Sequence, residues 1–146
     1  MTSQTTRIIR YSTQGFKPQY QSHHLKNIDY DLHSFDINNF SDNLSYFIQQ
    51  NHENRIKFYK EHYQDFQYGI WFFIDGHKNN HSLNHLKRKV PCWEAEIESD
   101  VLLYDVNLEY QTTLSDPFGI NSGFYLPVSQ IHKIHNIKKR KSNKAS

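Results

Sequence analysis

The sequence predicts an α+β domain, with a small, mostly antiparallel sheet, a helical hairpin on one side and a short C-terminal helix. Short apolar and aromatic runs separated by turn residues follow one another between positions 68 and 127, which is typical of strands. Apolar residues at helical spacing precede them, between positions 40 and 66. We expect a single domain over residues 1–137 and a basic disordered tail over residues 138–146.

The N-terminal region begins with a predicted strand over Arg7–Thr13, rich in β-branched and aromatic residues. Gly15 and Pro18 follow it and favour a turn. Residues 15–35 show no clean period, so we predict an irregular, aromatic-rich loop there, with one short turn of helix as the alternative.

Two consecutive helices are predicted to form the hairpin. Ser41 or Asp42 can cap the first one, because each offers a side-chain oxygen to the first turn. Asn51 and His52 are predicted to separate it from the second, whose apolar stripe has spacings of three, four and three. The stripe residues are Phe40, Leu44, Phe47 and Ile48 in the first helix, and Ile56, Tyr59, Tyr63 and Phe66 in the second.

Four further strands are predicted. Tyr68–Ile74 is apolar on both faces and is therefore expected to lie in the interior of the sheet. Cys92–Ile97 alternates apolar and acidic residues, which indicates one buried and one solvated face. Val101–Tyr104 and Gly123–Leu126 complete the sheet, with a long loop between them.

The C-terminal region combines a three-residue repeat with a basic end. The repeat predicts a short helix and consists of Val128, Ile131, Ile134 and Ile137. The last 14 residues hold six Lys or Arg and no acid, whereas the remainder has a balance of −4. The tail therefore suggests an accessory role on nucleic acid, through Lys138, Lys139, Arg140, Lys141 and Lys144.

The composition predicts a soluble, cytoplasmic protein. The longest apolar run, Ile70–Ile74, is far shorter than the roughly 20 residues that span a bilayer, so we expect no membrane association. The N-terminus lacks the apolar core of a signal peptide. The single cysteine, Cys92, agrees with a reducing compartment. The many Asn, Gln, His and Tyr residues suggest an AT-rich coding sequence of bacterial or phage origin.

Several side chains are candidates for chemistry, and each has a simpler interpretation. His77, His81 and His85 are spaced four apart, as in a helical zinc site, but the residues between them favour a solvated loop. We predict no metal site, and a zinc site at these three histidines is the alternative. Cys92 is interpreted as a half-buried strand residue, and the alternating glutamates Glu94 and Glu96 as an exposed strand face.

Short motifs resemble an uncharacterised family of small bacterial domains. Residues 11–14 (YSTQ) are similar to that family's opening of an aromatic, Ser or Thr and Gln. Tyr68 and Trp71 match its Tyr-x-x-Trp strand, and Tyr125 and Pro127 match its Tyr-x-Pro close. The resemblance covers about half of the chain.

The layout also resembles the ADP-ribosyltransferase fold, which implies an active or degenerate enzyme using NAD. Under this resemblance Arg10 would grip the cofactor and Glu109 would be the late acid, and these two are the candidate catalytic residues. No Ser-Thr-Ser triplet follows the helices, in contrast to that family. The candidate cofactor-binding residues are Tyr11, Ser12, Thr13, Tyr68 and Trp71.

The sequence contains no convincing catalytic set, but it is rich in Tyr, Phe and Trp, which interfaces favour. We therefore expect a small interaction protein that binds a macromolecular partner through an aromatic-rich surface, as an inhibitor or effector in a defence or toxin system. A protein partner is expected. The alternatives are the NAD-dependent transferase and the nucleic-acid accessory protein.

Overall fold

A computed structural model describes most of the chain, and all structural statements concern residues 4–34, 42–77, 90–115 and 122–140. The chain divides into two compact units. One consists of Met1–Gln19 and Gly69–Ser146, and the other of Tyr20–Tyr68. We refer to them as the sheet unit and the helical unit. The prediction of one domain over residues 1–137 stays a prediction.

An antiparallel sheet of eight strands confirms the predicted α+β class. The strands are β1 Thr5–Tyr11, β2 Gln19–Tyr20, β3 Tyr68–Ile74, β4 Cys92–Glu98, β5 Leu103–Asp105, β6 Gln111–Thr112, β7 Gly123–Pro127 and β8 Ile134–Lys139. Seven of them follow the order β6-β5-β7-β3-β1-β4-β8, and β2 pairs with β3 outside this order.

The first strand of the chain lies inside the sheet, between two strands that follow it by more than 60 residues. β1 pairs with β4 along its whole length, from Thr5 opposite Glu98 to Tyr11 opposite Cys92. Its other edge pairs with β3 at Ile8 and Ile9. β3 in turn pairs with β7 over five residues, which confirms its predicted interior position.

The apolar core lies on one face of the sheet. Ile8 of β1 and Ala95 of β4 face each other there, and Ile97 continues the same face of β4. Glu94 and Glu96 alternate onto the opposite face, as predicted. The remaining core residues come from the other strands and the turns: Phe16, Ile70, Phe72, Val101, Leu103, Leu114, Phe124, Leu126 and Ile134.

The C-terminal prediction is right in its first half and wrong in its second. Val128–Lys133 is a 3₁₀ helix, whose period of three residues per turn fits the observed spacing. The chain then enters β8, where Ile134 pairs with Ile97, so the helix does not extend to Ile137. Lys138 and Lys139 belong to β8, and the first residues of the predicted tail are therefore part of the sheet. Residues 141–146 lie outside the described residues.

Helix α1 spans Ser22–Ser34, where an irregular loop was predicted, so that prediction is wrong. Leu25 and Ile28 are buried and Leu32 is half-buried, which is one helical stripe at spacings of three and four. The stripe is present in the sequence, but polar residues and two adjacent histidines around it obscure the period.

Helix α2 spans Asp42–His62 without a break, and a 3₁₀ helix over Tyr63–Phe66 follows it. The predicted interruption at Asn51 and His52 is wrong, and so is the hairpin built on it. Each of these residues costs only about 0.5–0.7 kcal/mol relative to Ala in a helix interior, too little to end a helix of this length. α1 is instead linked to the end of α2, because the Tyr63 hydroxyl donates to Asp29 Oδ1 at 3.0 Å.

Within the described residues, no helix is both long and apolar enough to cross a bilayer.

Close approach of backbone and aromatic rings joins β3 to β7. A Cβ added at Gly69 would lie 2.2 Å from the Leu126 carbonyl oxygen and 2.6 Å from the Tyr125 ring. A Cβ at Gly123 would lie 2.8 Å from the ring of Phe73, its cross-strand partner. These two strands therefore need glycine where the rings cover them.

We expect Gly69→Ala to lower the free energy of unfolding by about 2–4 kcal/mol, since the clash is with paired backbone. Gly123→Ala should cost less, about 1–2 kcal/mol, because the Phe73 ring can shift. Urea denaturation followed by tryptophan fluorescence measures both. The control is Gly76→Asn, at a left-handed position with nothing within 4 Å. Equal stability of Gly69→Ala and wild type would contradict the packing.

Candidate functional site

The Arg10 side chain binds two backbone carbonyl groups. Its Nε donates to Gly15 O at 2.8 Å and its Nη1 donates to Trp71 O at 2.6 Å. Arg10 lies one residue beyond the last β1–β3 pair, that of Ile9 with Phe73. Burial lowers the pKa of the guanidinium. The side chain thus ties the turn after β1 to the middle of β3.

The turn after β1 is held by Trp93 as well. The Trp93 Nε1 group donates to Ser12 O at 2.9 Å. Gly15 has a φ of 63° and lies against the same indole, so a Cβ there would be 3.2 Å from the ring. The Ser12 hydroxyl accepts from the backbone of Gln14 at 3.0 Å. Ser12 and Thr13, predicted to bind a cofactor, lie in this turn.

Tyr68 and Trp71, two of the candidate cofactor-binding residues, fall in different units. The Trp71 ring packs on Tyr125 with 4.7 Å between ring centroids, in the sheet unit. Tyr68 is 50% exposed and belongs to the helical unit. The structure therefore brings Trp71 to Arg10, but through the Trp71 backbone rather than through its indole.

The structure does not bring Glu109 to Arg10. Glu109 is exposed in the turn between β5 and β6, at one edge of the sheet. Two strands, β7 and β3, separate β5 from β1, a distance of about 14 Å across the sheet. The two predicted catalytic residues therefore start from distant strands.

Asp105 organises the turn that carries Glu109, a role the sequence analysis missed. Its buried carboxylate accepts the backbone N–H groups of Asn107, Glu109 and Tyr110. Leu108 adopts a φ of 57° between them. An Asp followed within two residues by Asn is a turn signal in the sequence, but it does not reveal that the carboxylate is buried.

A polar cluster around Cys92 is a second feature that the sequence did not show. Tyr11 lies opposite Cys92, and the two side chains share a hydrogen bond. Arg140 forms an ion pair with Asp75, and its backbone N–H donates to Cys92 O at 2.8 Å. Burial alone would lower the pKa of Arg140, but the hydrogen bond and charge of Asp75 outweigh it and raise the pKa.

Burial raises the pKa of the Cys92 thiol, and the charge of Arg140 and the Tyr11 hydrogen bond offset only part of that effect. Burial likewise raises the pKa of Tyr11. A nucleophilic cysteine needs the opposite shift, because the thiolate is the reactive form. The cluster is therefore built as a structural link between β1, β4 and the segment after β8.

The described basic residues near the C-terminus are partly neutralised by acids. Lys138 Nζ lies 3.8 Å from Glu94 Oε1, and Arg140 Nε lies 3.7 Å from the same atom. Lys139 is exposed on the edge strand β8. Lys141 and Lys144 lie outside the described residues.

Of the three histidines singled out in the sequence, only His77 lies within the described residues. His77 follows the turn after β3, and its backbone N–H donates to Ile74 O at 3.4 Å. His81 and His85 lie outside the described residues. Across the four described ranges, no group of three or more His, Cys, Asp or Glu side chains could hold a metal ion.

The helical unit exposes a pair of tyrosines whose rings contact each other. Tyr20 and Tyr68 are 55% and 50% exposed, with ring centroids 5.2 Å apart and ring planes at 53°. Gln21 N–H donates to Gln67 O at 2.9 Å, which holds the two ends of the unit side by side. We call this pair, together with Tyr63 and its hydrogen-bond partner Asp29, the tyrosine surface.

Comparison of the chain with protein-family models, with curated proteins and with solved structures found no match. The resemblances to small bacterial domains and to the ADP-ribosyltransferase fold therefore stay predictions, and the geometry of the chain's own residues carries the functional argument.

We expect Arg10→Met to lower the free energy of unfolding by about 2–3 kcal/mol, since two part-buried carbonyls lose charge-assisted donors. Arg7→Met, at an exposed arginine of the same strand, should change it by less than about 0.5 kcal/mol. Urea denaturation of both variants provides the comparison. Equal losses in the two variants would show that the Arg10 contacts contribute nothing specific.

We expect Cys92 to react slowly with iodoacetamide at neutral pH, because its raised pKa leaves little thiolate. The midpoint of the pH–rate profile should lie above that of a free cysteine. Arg140→Gln should move it higher still, since the cation that lowers the Cys92 pKa is removed. Lys139→Gln is the control. A midpoint below that of free cysteine would overturn this description.

Proposed function

We propose that this chain is an interaction protein whose tyrosine surface docks a macromolecular partner, and that the partner is a protein. The observation that carries the proposal is the Tyr20–Tyr68 pair, in which half of each side chain is exposed although the rings already contact each other.

The pair is pre-organised for binding. The Gln21–Gln67 backbone hydrogen bond fixes the two chain segments, so the rings lose little conformational freedom when a partner covers them. Tyrosine supplies a large contact area with few rotatable bonds, and it is enriched in binding surfaces for that reason. A third tyrosine of the helical unit, Tyr30, is 71% exposed.

The distribution of aromatic residues also favours an interface. Phe66, Phe72 and Phe124 are fully buried, whereas the most exposed aromatics among the residues of described burial are all tyrosines. The fold can also bury tyrosine side chains in its core, since Tyr104 and Tyr125 are fully buried. The exposed tyrosines are therefore not simply excess core residues.

The alternatives receive no comparable support. Two facts disfavour an NAD-dependent transferase: the Arg10 guanidinium is bound to two backbone carbonyls, and two strands separate the strand before Glu109 from the strand of Arg10. For a nucleic-acid accessory protein, Lys138 and Arg140 pair with acids. A role as inhibitor or effector in a defence or toxin system stays a prediction.

The test is affinity capture from the cells that produce the protein, with full-length bait. We expect Tyr20→Ser/Tyr68→Ser to reduce recovery of a reproducible protein partner at least about tenfold, a loss of about 1.4 kcal/mol. Circular dichroism and thermal unfolding check that the variant is folded.

Tyr110→Ser is the matched control, because Tyr110 is an exposed tyrosine of the sheet unit. It should retain the partner. Full recovery by the double variant, or an equal loss with Tyr110→Ser, would contradict a docking role for the tyrosine surface.

A further inference from the structure

The helical unit carries a net negative charge, which bears on the kind of partner it can bind. Tyr20–Tyr68 contains seven acidic and four basic residues, a balance of −3. The rest of the chain holds eight acidic and thirteen basic residues, a balance of +5. The small net charge of the whole chain therefore hides an acidic unit, which favours a cationic partner and disfavours phosphate.

The exposed tyrosine rings also attract cations locally. The face of a tyrosine ring is the negative end of its quadrupole, so a cation within about 6 Å of the ring centroid is attracted to it. The Tyr20 and Tyr68 planes are tilted by 53°, and half of each side chain is accessible. A planar guanidinium can stack on such a face, and an ammonium can lie above it.

The carboxylate of Asp29 is held by another tyrosine of the helical unit, Tyr63. Tyr63 donates to Asp29 Oδ1 at 3.0 Å and so holds that side chain in place. This hydrogen bond is the largest cause of the raised pKa of Tyr63, and Tyr20 lies near enough to contribute to the same shift. Tyr63 therefore fixes a negative charge within the helical unit that carries the ring pair.

Resting on the proposed function, we infer that the partner presents an arginine or lysine side chain, whose cation lies against the Tyr20 and Tyr68 rings in the field of Asp29. The partner is thus a protein with an exposed basic segment. A single-stranded nucleic acid could also stack bases on tyrosines, but its phosphates would meet an acidic unit.

The experiment titrates the full-length protein into a fluorescein-labelled Gly/Ser peptide that carries arginines, and follows fluorescence polarisation. A second peptide replaces each arginine with citrulline, which keeps the shape and removes the charge. We expect saturable binding of the arginine peptide that weakens with salt, and at least about tenfold weaker binding of the citrulline peptide.

Variants locate the binding. Tyr68→Leu keeps an apolar side chain without the ring quadrupole and should weaken binding about threefold to fivefold. Asp29→Asn should weaken it by a similar factor. The control is Glu61→Gln, which removes one exposed acid elsewhere in the helical unit and should have less effect than either variant.

The outcomes separate this inference from the proposed function. Equal binding of the arginine and citrulline peptides, or equal losses for Asp29→Asn and Glu61→Gln, overturns the cation inference. Binding of a single-stranded oligonucleotide in place of the arginine peptide also overturns it. If Tyr20→Ser/Tyr68→Ser loses the captured partner while Tyr68→Leu retains it fully, the docking role of the tyrosine surface is supported and the cation inference is overturned. If both retain it, the proposed function fails.

Discussion

The sheet depends on how its interior first strand is held, and Arg10 is the residue that holds it. β1 pairs with β4 over seven residues but with β3 only at Ile8 and Ile9. Beyond that point the guanidinium of Arg10 bridges to β3 through Trp71 O, and back to its own turn through Gly15 O. The cation thus satisfies two carbonyl groups beyond the last β1–β3 pair and joins the two segments there.

The structural polar contacts and the proposed recognition surface lie in different units of the chain. In the sheet unit, polar side chains are used to join segments, as Asp105 does for its turn and Arg140 for Asp75. In the helical unit, two tyrosines remain exposed at the point where the chain enters and leaves. A unit whose ends are hydrogen-bonded together presents these rings without further ordering, which suits a binding surface.

Periodicity predicted the sheet better than the helices. The double-sided apolar run of β3 and the alternation in β4 are direct consequences of burial, so both were read correctly. α1 was missed because polar residues around its apolar stripe obscure the helical period. The C-terminal repeat did not show where the 3₁₀ helix ends, since the pairing of Ile134 with Ile97 decides that. Long-range pairing is not encoded in local spacing.

The site was less predictable than the fold, because its contacts join residues far apart in sequence. Tyr68 was singled out, but as a candidate cofactor-binding residue. Its contact with Tyr20 accompanies a backbone hydrogen bond between Gln21 and Gln67. Arg10 was singled out by its residue type, and only the structure shows that its acceptors are main-chain carbonyls. Hydrogen exchange of Arg10→Met, compared with wild type, tests this central assignment most directly. If Arg10 holds these segments, exchange should accelerate more in β1 and in the β3 segment around Trp71 than in β5 and β6. Identical exchange in both proteins would contradict it.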